Sequence, residues 1–423
     1  MQVLRLGSRS SEVMLLQSIL AKIGYNPGAI DGVFGQQTRQ ALIEFQIDNG
    51  LTPDGVVGPA TSQLLERFLA GYDVYTIRPH DTFYKIAANY YTSVNAILTA
   101  NPTLNPTNLQ IGQQIIVPYG IDVVLTDVDY TYEIMEREIN GLKARYPFLQ
   151  VGVAGKSVLG RNLYYFRLGT GPTEVFYNGA HHGIEWITAP VLMKFVENYA
   201  RAYATGSKLR GYDVRDLFSK ASIYVMPMVN PDGVNIAIDG PQPGNPYYQD
   251  LLRWNNTGLP FSQVWKANTR GVDLNRNYPA SWELAKAQEA AFGVTGPAPT
   301  RYGGPSPLSE PETQAVVNFT RQHNFKLVIA YHTQGRVIYW LYRDIQPPRA
   351  LSIAQTFAGI TGYTVANVPY AAAYAGYKDW FIEVYRRPGY TFEVGIGQNP
   401  VPISQFNTIY QENEEVLLLA PIV

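Results

Sequence analysis

Four short apolar runs in the second part of the chain, Thr173–Asn178, Ile223–Val229, Phe325–Tyr331 and Tyr390–Val394, constrain the fold more than any other feature. Runs of this length, rich in β-branched and aromatic residues, read as buried strands. Each meets polar chemistry at or near its carboxyl end. The first leads into His181-His182-Gly183-Ile184-Glu185, the second into the turn sequence Asn230-Pro231-Asp232-Gly233, and the third stops at His332. The fourth encloses Glu393, a carboxylate that is costly to bury unless it has a task or a partner. Open α/β sheets gather their sites at strand carboxyl ends, and these runs ask for that arrangement.

The chemistry is narrowed by what the chain lacks. It has five histidines and no cysteine, so any zinc must be held by imidazole and carboxylate. His182, Glu185 and His332 are two imidazoles and one carboxylate, a set that leaves a coordination position open for water, as a hydrolytic site requires. In isolation His-x-x-Glu also describes a surface His near a helix-capping Glu. The strand context favours the metal. His181 is expected not to ligate, because the three-residue spacing starts at His182.

Further segments follow the same order. Trp265-Lys266-Ala267-Asn268 leads into Asp273-Leu274-Asn275-Arg276-Asn277, and Thr391-Phe392-Glu393 closes the series. With these motifs in place, residues 122–423 resemble a zinc carboxypeptidase of the carboxypeptidase A type. The resemblance implies an α/β domain with a mixed, twisted sheet flanked by helices, and one zinc on His182, Glu185 and His332. It implies Glu393 as general base and proton shuttle, and Asn275 with Arg276 as the clamp for a substrate carboxylate. Arg suits bidentate binding of that group.

Three positions depart from the family or need choosing. Many relatives carry Arg after the Trp that matches Trp265. Lys266 brings the charge to a developing oxyanion without the planar fork. The family's mobile Tyr falls on Tyr370 or Tyr374, with Tyr370 preferred. Lys378, just before Asp379-Trp380, falls where relatives floor the pocket for the residue after the scissile bond. A cation there implies a substrate with a negative group, such as the distal carboxylate of meso-diaminopimelate. The other reading is a Lys that is solvated or paired with Asp379.

The first 120 residues carry two small modules. Residues 1–70 contain an internal repeat, Asp31-Gly32-Val33-Phe34-Gly35 and Asp54-Gly55-Val56-Val57-Gly58. In each, Asp-Gly makes a tight turn and the following segment starts a helix. Helices are expected near 9–23, 36–49 and 59–69, with Pro59 at a first helical position. This three-helix segment resembles the peptidoglycan-binding domain of bacterial cell-wall hydrolases. Residues 73–118 read as strand, two short helices and strand, and Asp81-Thr82-Phe83-Tyr84-Lys85-Ile86-Ala87 resembles a LysM domain. By that resemblance Asp81, Thr82, Asn101 and Pro102 would meet N-acetylglucosamine. The same residues also suit helix caps.

Net charge is −1, with no basic run to attract nucleic acid or an anionic membrane. No apolar stretch approaches the roughly 18 residues of a membrane span. Met1-Gln2-Val3-Leu4-Arg5 does not read as a signal peptide, and the short linkers suggest modules that pack together. Peptidoglycan is the expected partner, and the cell wall or extracellular space, including a spore, the expected location. The leading expectation is a wall peptidase resembling γ-D-glutamyl-L-diamino acid endopeptidases. An exopeptidase trimming ordinary peptides is the alternative. A glycan-binding adhesion protein with a dead hydrolase domain would lack one of His182, Glu185, His332 or Glu393, and all four are present.

Overall fold

The structure is a computed structural model that describes residues 3–105 and 107–423. Met1 and Gln2, with which the first module was expected to open, lie outside the described residues. The chain forms two compact units: residues up to Asp129 together with Glu133–Leu149, and Tyr130–Tyr132 together with Gln150–Val423.

The first unit begins with three helices, α1 (Ser11–Lys22), α2 (Gln36–Asp48) and α3 (Pro59–Ala70). Ser10 caps α1 by accepting from the Val13 amide, Pro59 occupies the first turn of α3, and Gly71 ends α3 in the left-handed region at φ 78°. The sequence repeat becomes a structural one. The Gln17 side chain, buried on α1, contacts Asp31 Oδ1, the Val33 carbonyl and Thr38 Oγ1 at 3.0–3.2 Å, and accepts from the Gly32 amide at 2.9 Å. Gln46 on α2 contacts Asp54 Oδ1, the Val56 carbonyl and Thr61 Oγ1 at 3.0–3.2 Å, and accepts from Gly55 at 2.9 Å.

The second module follows as β1 (Tyr72–Thr76), α4 (Phe83–Asn89), α5 (Val94–Ala100) and β2 (Gln114–Pro118), the two strands antiparallel. Its core is Ile77, Phe83, Ile86, Ile97, Ile115 and Val117. Phe68 of α3 stacks on Tyr119 at 4.6 Å between ring centroids, and Tyr119 meets Tyr90 at 5.3 Å.

A further helix, α6 (Tyr132–Arg145), follows these modules. Its residues from Glu133 onward belong to the first unit, although the sequence places them at the head of the catalytic segment. Arg137 pairs with Glu66 at 3.0 Å, Glu138 accepts from the Leu125 amide at 2.7 Å, and Arg145 donates to the carbonyls of Tyr119 and Ile121 at 2.7 and 2.6 Å. Gly141 sits so close to α3 that a Cβ there would lie 2.3 Å from the Ala70 carbonyl oxygen.

The second unit is built on β3 (Gln150–Lys156), β4 (Asn162–Leu168), β5 (Thr173–Gly179), a two-residue hairpin β6 (Lys208–Leu209) and β7 (Tyr212–Asp213), β8 (Ala221–Met226), β9 (Leu327–Thr333), β10 (Val337–Tyr339), β11 (Thr364–Ala366) and β12 (Gly389–Val394). Eight of these form one mixed sheet in the order β11-β10-β12-β9-β5-β8-β4-β3. The central strands β12, β9, β5 and β8 are parallel neighbours. Antiparallel neighbours join at β10 and β4. All residues of β8 and β9 are buried, which is why their sequences are continuous apolar runs rather than alternating ones. Three carboxyl ends differ from the sequence expectation. β5 runs one residue past Asn178 to Gly179. β8 stops at Met226, because Pro227 cannot donate to the ladder, and β9 runs past His332 to Thr333.

Candidate metal centre and substrate cleft

β5 ends at Gly179, and the chain passes through His181 and His182 into a short 3-10 turn, Gly183–Glu185. This turn is pinned from outside: the Gly183 amide donates to the Lys266 carbonyl at 3.0 Å and the Ile184 amide to the Trp265 carbonyl at 3.1 Å. Only Gly fits at 183, since a Cβ would lie 2.4 Å from the Gly233 carbonyl oxygen. The Asn-Pro-Asp-Gly turn therefore shapes the floor of the His-x-x-Glu turn.

The sheet supplies the other side. In the β12/β9 ladder Glu393 is the register partner of His332, so both side chains leave the same face near the carboxyl edge. His182 Nδ1 lies 2.9 Å from Glu185 Oε1, His332 Nδ1 lies 2.9 Å from Glu185 Oε2, and the two Nδ1 atoms are 3.3 Å apart. Donors bonded to one tetrahedral zinc at about 2.0–2.1 Å stand about 3.3 Å from each other, so this trio fits the ion. It is the group among the described residues suited to holding a metal.

Electrostatics point the same way. Burial works against a charge on His182, yet Glu185 and Asp273 outweigh it and lift its pKa to about 9. A site that negative draws in a cation. Glu185 is held well below the usual carboxylate range: burial opposes this, and His182 and Lys266 overcome it. His182 Nε2 lies 2.9 Å from Asp273 Oδ1, which fixes the proton on Nε2 and turns the Nδ1 lone pair toward the trio. His181 points elsewhere. It is fully buried, with Nε2 2.9 Å from the Tyr278 hydroxyl.

A cleft of about 760 Å³ opens over the trio. Glu393, Lys266, Asn275, Arg276 and Lys378 line it. Glu393 is pushed up to about 8, first by burial and then by the charge of Glu185. Lys266 Nζ donates to Glu185 Oε1 at 2.7 Å. Asn275 and Arg276 come from the turn that Asp273 starts, and Asn275 Oδ1 accepts from the Tyr377 amide at 3.1 Å. Arg276 is buried, with one guanidinium nitrogen 3.2 Å from Gln288 Oε1. Lys378 is buried and donates to the Leu341 carbonyl at 2.7 Å and to Asp379 Oδ1 at 2.6 Å. The Tyr370 side chain is 69% exposed, edge-on to Tyr374, while its neighbours Val368 and Ala372 line the cleft.

The glycan candidates are engaged within their own module. Asp81 accepts from the Tyr75 hydroxyl and the Arg78 amide, and Thr82 caps α4. The Asn101 amide bridges the carbonyls of Ile97 and Ile116 at 2.7 Å each, and Pro102 follows it in the turn after α5.

Asp273 and Arg301 are among the cleft residues that carried no role in the sequence reading. Asp273 stood in plain sight at the head of Asp-x-Asn-Arg-Asn, and its contact with His182 needed the fold. Arg301 belongs to no motif, yet it lines the cleft and its amide donates to Asp273 Oδ2 at 3.0 Å.

The chain matches the zinc carboxypeptidase family over residues 135–416, a peptidoglycan binding domain over 9–65 and the LysM domain over 75–118. It is 41% identical to gamma-D-glutamyl-L-diamino acid endopeptidase 1 of Lysinibacillus sphaericus, over 79% of this chain and 96% of that one. It is 34% identical to an uncharacterized protein of Bacillus subtilis, over 68% and 76% of the two chains. The carboxypeptidase A of Helicoverpa armigera shares the fold, with a TM-score of 0.52 at 19% identity over 91% of this chain and 94% of that one. The chain therefore belongs to the zinc carboxypeptidase family and is a zinc metallopeptidase that carries peptidoglycan-binding and LysM domains ahead of its catalytic segment.

Proposed function

We propose that this protein hydrolyses the bond between γ-D-glutamate and a diamino acid in cell-wall stem peptides. The observation that carries the hydrolytic part is the convergence of His182, Glu185 and His332 beneath a cleft that Glu393, Lys266 and Arg276 also line. The choice of bond is supported by the Lysinibacillus relative, whose named activity is that of a γ-D-glutamyl-L-diamino acid endopeptidase.

Zinc on His182, Glu185 and His332 supplies Lewis acidity, making a water acidic near neutral pH and polarising a carbonyl oxygen. Glu393 takes the proton from the attacking water and delivers it to the leaving amine. A carboxylate raised toward neutrality by burial is matched to that exchange. The Lys266 ammonium, beside Glu185, faces the negative charge that develops on the carbonyl oxygen. Arg276 and Asn275 hold the α-carboxylate of the leaving residue, with the guanidinium fixed by Gln288. Lys378 has three N–H donors and spends two on Leu341 and Asp379, leaving one for the distal carboxylate of diaminopimelate. Tyr370, two residues from the cleft-lining Val368 and Ala372, is the side chain proposed to close on bound substrate. Asp81, Thr82, Asn101 and Pro102 mark the loops proposed to meet glycan. The two modules raise the local concentration of wall substrate. Compartment follows from the same modules: the cell wall, with the spore as one setting. No helix among the described residues is long and apolar enough to cross a membrane.

A second reading, removal of C-terminal residues from ordinary peptides, is favoured by the Asn275–Arg276 pair alone. Mass spectrometry of muropeptides after digestion decides, run beside a panel of ordinary C-terminal peptides. New amino termini on diaminopimelate support the endopeptidase. Trimming of the panel with intact muropeptides overturns it.

A further inference from the structure

Arg301 lines the cleft, and three features hold it in its conformation. Its own amide donates to Asp273 Oδ2 at 3.0 Å. Its backbone sits in the left-handed region at φ 72°, a conformation that a non-Gly residue holds only where its surroundings impose it. Its guanidinium lies over the Phe292 ring, 4.1 Å from the centroid. A guanidinium stacked on a ring keeps its plane and offers its N–H groups sideways, the presentation that bidentate carboxylate binding needs.

The segment that carries Arg301 runs beside the reacting end of the site. The amides of Lys266 and Ala267 both donate to the Pro299 carbonyl, at 2.8 and 3.0 Å, and the Asp273 amide donates to the Tyr302 carbonyl at 2.7 Å. Arg301 thus enters between the lysine that faces the scissile carbonyl and the turn that carries Arg276. Burial and then the charge of Arg276 lower the pKa of Arg301, while Asp273 works against the shift. An anion is the ligand that a stacked guanidinium takes most strongly.

The substrate has one to offer. A stem cut between γ-D-glutamate and diaminopimelate carries two carboxylates on the leaving side when the stem ends there, and Arg276 and Lys378 stand for those. A third, the α-carboxylate of the γ-linked glutamate, lies on the acyl side, a few bonds from the scissile carbonyl. An ordinary α-linked peptide has neutral backbone at that place. We propose that Arg301 binds the free α-carboxylate of the γ-linked glutamyl residue and thereby selects γ-linked over α-linked substrates. This rests on the γ-glutamyl reading above.

The test uses the full-length, zinc-loaded protein and two matched stems, L-Ala-γ-D-Glu-diaminopimelate and the same stem with the α-carboxylate amidated to D-isoglutamine. kcat/KM is measured on both for wild type, Arg301→Met and Arg301→Lys, with zinc content and melting as checks on folding. Wild type is expected to prefer the acid stem by about tenfold or more, the loss of one charge-assisted hydrogen bond. Arg301→Met is expected to bring the ratio close to one, and Arg301→Lys to keep part of it. A wild type indifferent to amidation overturns the proposal, as does a methionine variant that keeps the wild-type ratio. If Arg301→Met does not fold, Arg301→Gln serves the same comparison. Failure of the reading beneath it looks different: neither stem is cut, while ordinary C-terminal peptides are.

Discussion

His182 Nε2 and Asp273 Oδ1 lie 2.9 Å apart, across 91 residues of sequence. The contact sets the histidine tautomer, so Asp273 acts on the metal without touching it. Asp273→Asn can hold the turn through its remaining oxygen while losing the charge and the fixed tautomer. Zinc affinity is expected to fall about 10–100-fold, the usual effect of removing such a partner. Competition with a chelator reads this directly, and unchanged affinity would remove Asp273 from the metal site.

Glu393→Gln keeps size and removes the base. The variant is expected to bind zinc and melt normally, while turnover falls about 10²–10⁴-fold. Near wild-type turnover would rule Glu393 out as the proton carrier. A large drop in melting temperature would show a structural carboxylate instead.

Lys378→Met separates recognition from support. If the third N–H reads the distal carboxylate, a diaminopimelate stem suffers more than a lysine stem, by about 1.5–3 kcal/mol for a charged hydrogen bond. Equal loss on both stems assigns the ammonium to Asp379 and Leu341 alone.

Glu312 gives a pH signature away from the metal. It is fully buried, accepts from the Val158 amide at 3.0 Å, and is pushed up to about 8 by burial, with Asp232 and Glu310 adding to the shift. A carboxyl whose folded pKa exceeds its unfolded value stabilises fully below about 4.5, and that contribution is lost as pH rises to about 8. Glu312→Gln does not titrate. Its melting temperature relative to wild type is therefore expected to rise between pH 5 and pH 9. A difference that is flat with pH would mean Glu312 is already ionised in the fold.

Gly141→Ala sets two effects of opposite sign against each other. In a helix interior Ala gains about 1 kcal/mol over Gly. Here its Cβ would press on the Ala70 carbonyl at 2.3 Å, and overpacking costs about 1–3 kcal/mol. Net destabilisation is expected in thermal melts of the full chain. A gain in stability would mean that α6 is held to α3 loosely.

The parts legible in the sequence were those where local chemistry and topology coincide. A strand followed by His182 and Glu185 shows both where the sheet ends and what stands there, and the Asp-Gly repeat marked α2 and α3 within a residue or two. The illegible parts depend on what a residue meets. Nothing in the sequence of α6 says that Arg137 and Gly141 meet Glu66 and Ala70 of α3. Asp273 reads as part of a clamp until the fold brings His182 to it. Arg301 carries no pattern at all, because a left-handed Arg stacked on Phe292 is specified by neighbours from three segments.

The paired glutamines of the first module bear on where this chain can work. Small wall-facing domains often rely on disulfides to hold long loops, and this chain has no cysteine. Gln17 and Gln46 do the stapling with buried amides, each tying one Asp-Gly loop to a helix. Such staples need no oxidant to form and no reductant can open them. The module can thus assemble in a reducing cytoplasm and keep its shape unchanged in an oxidising exterior.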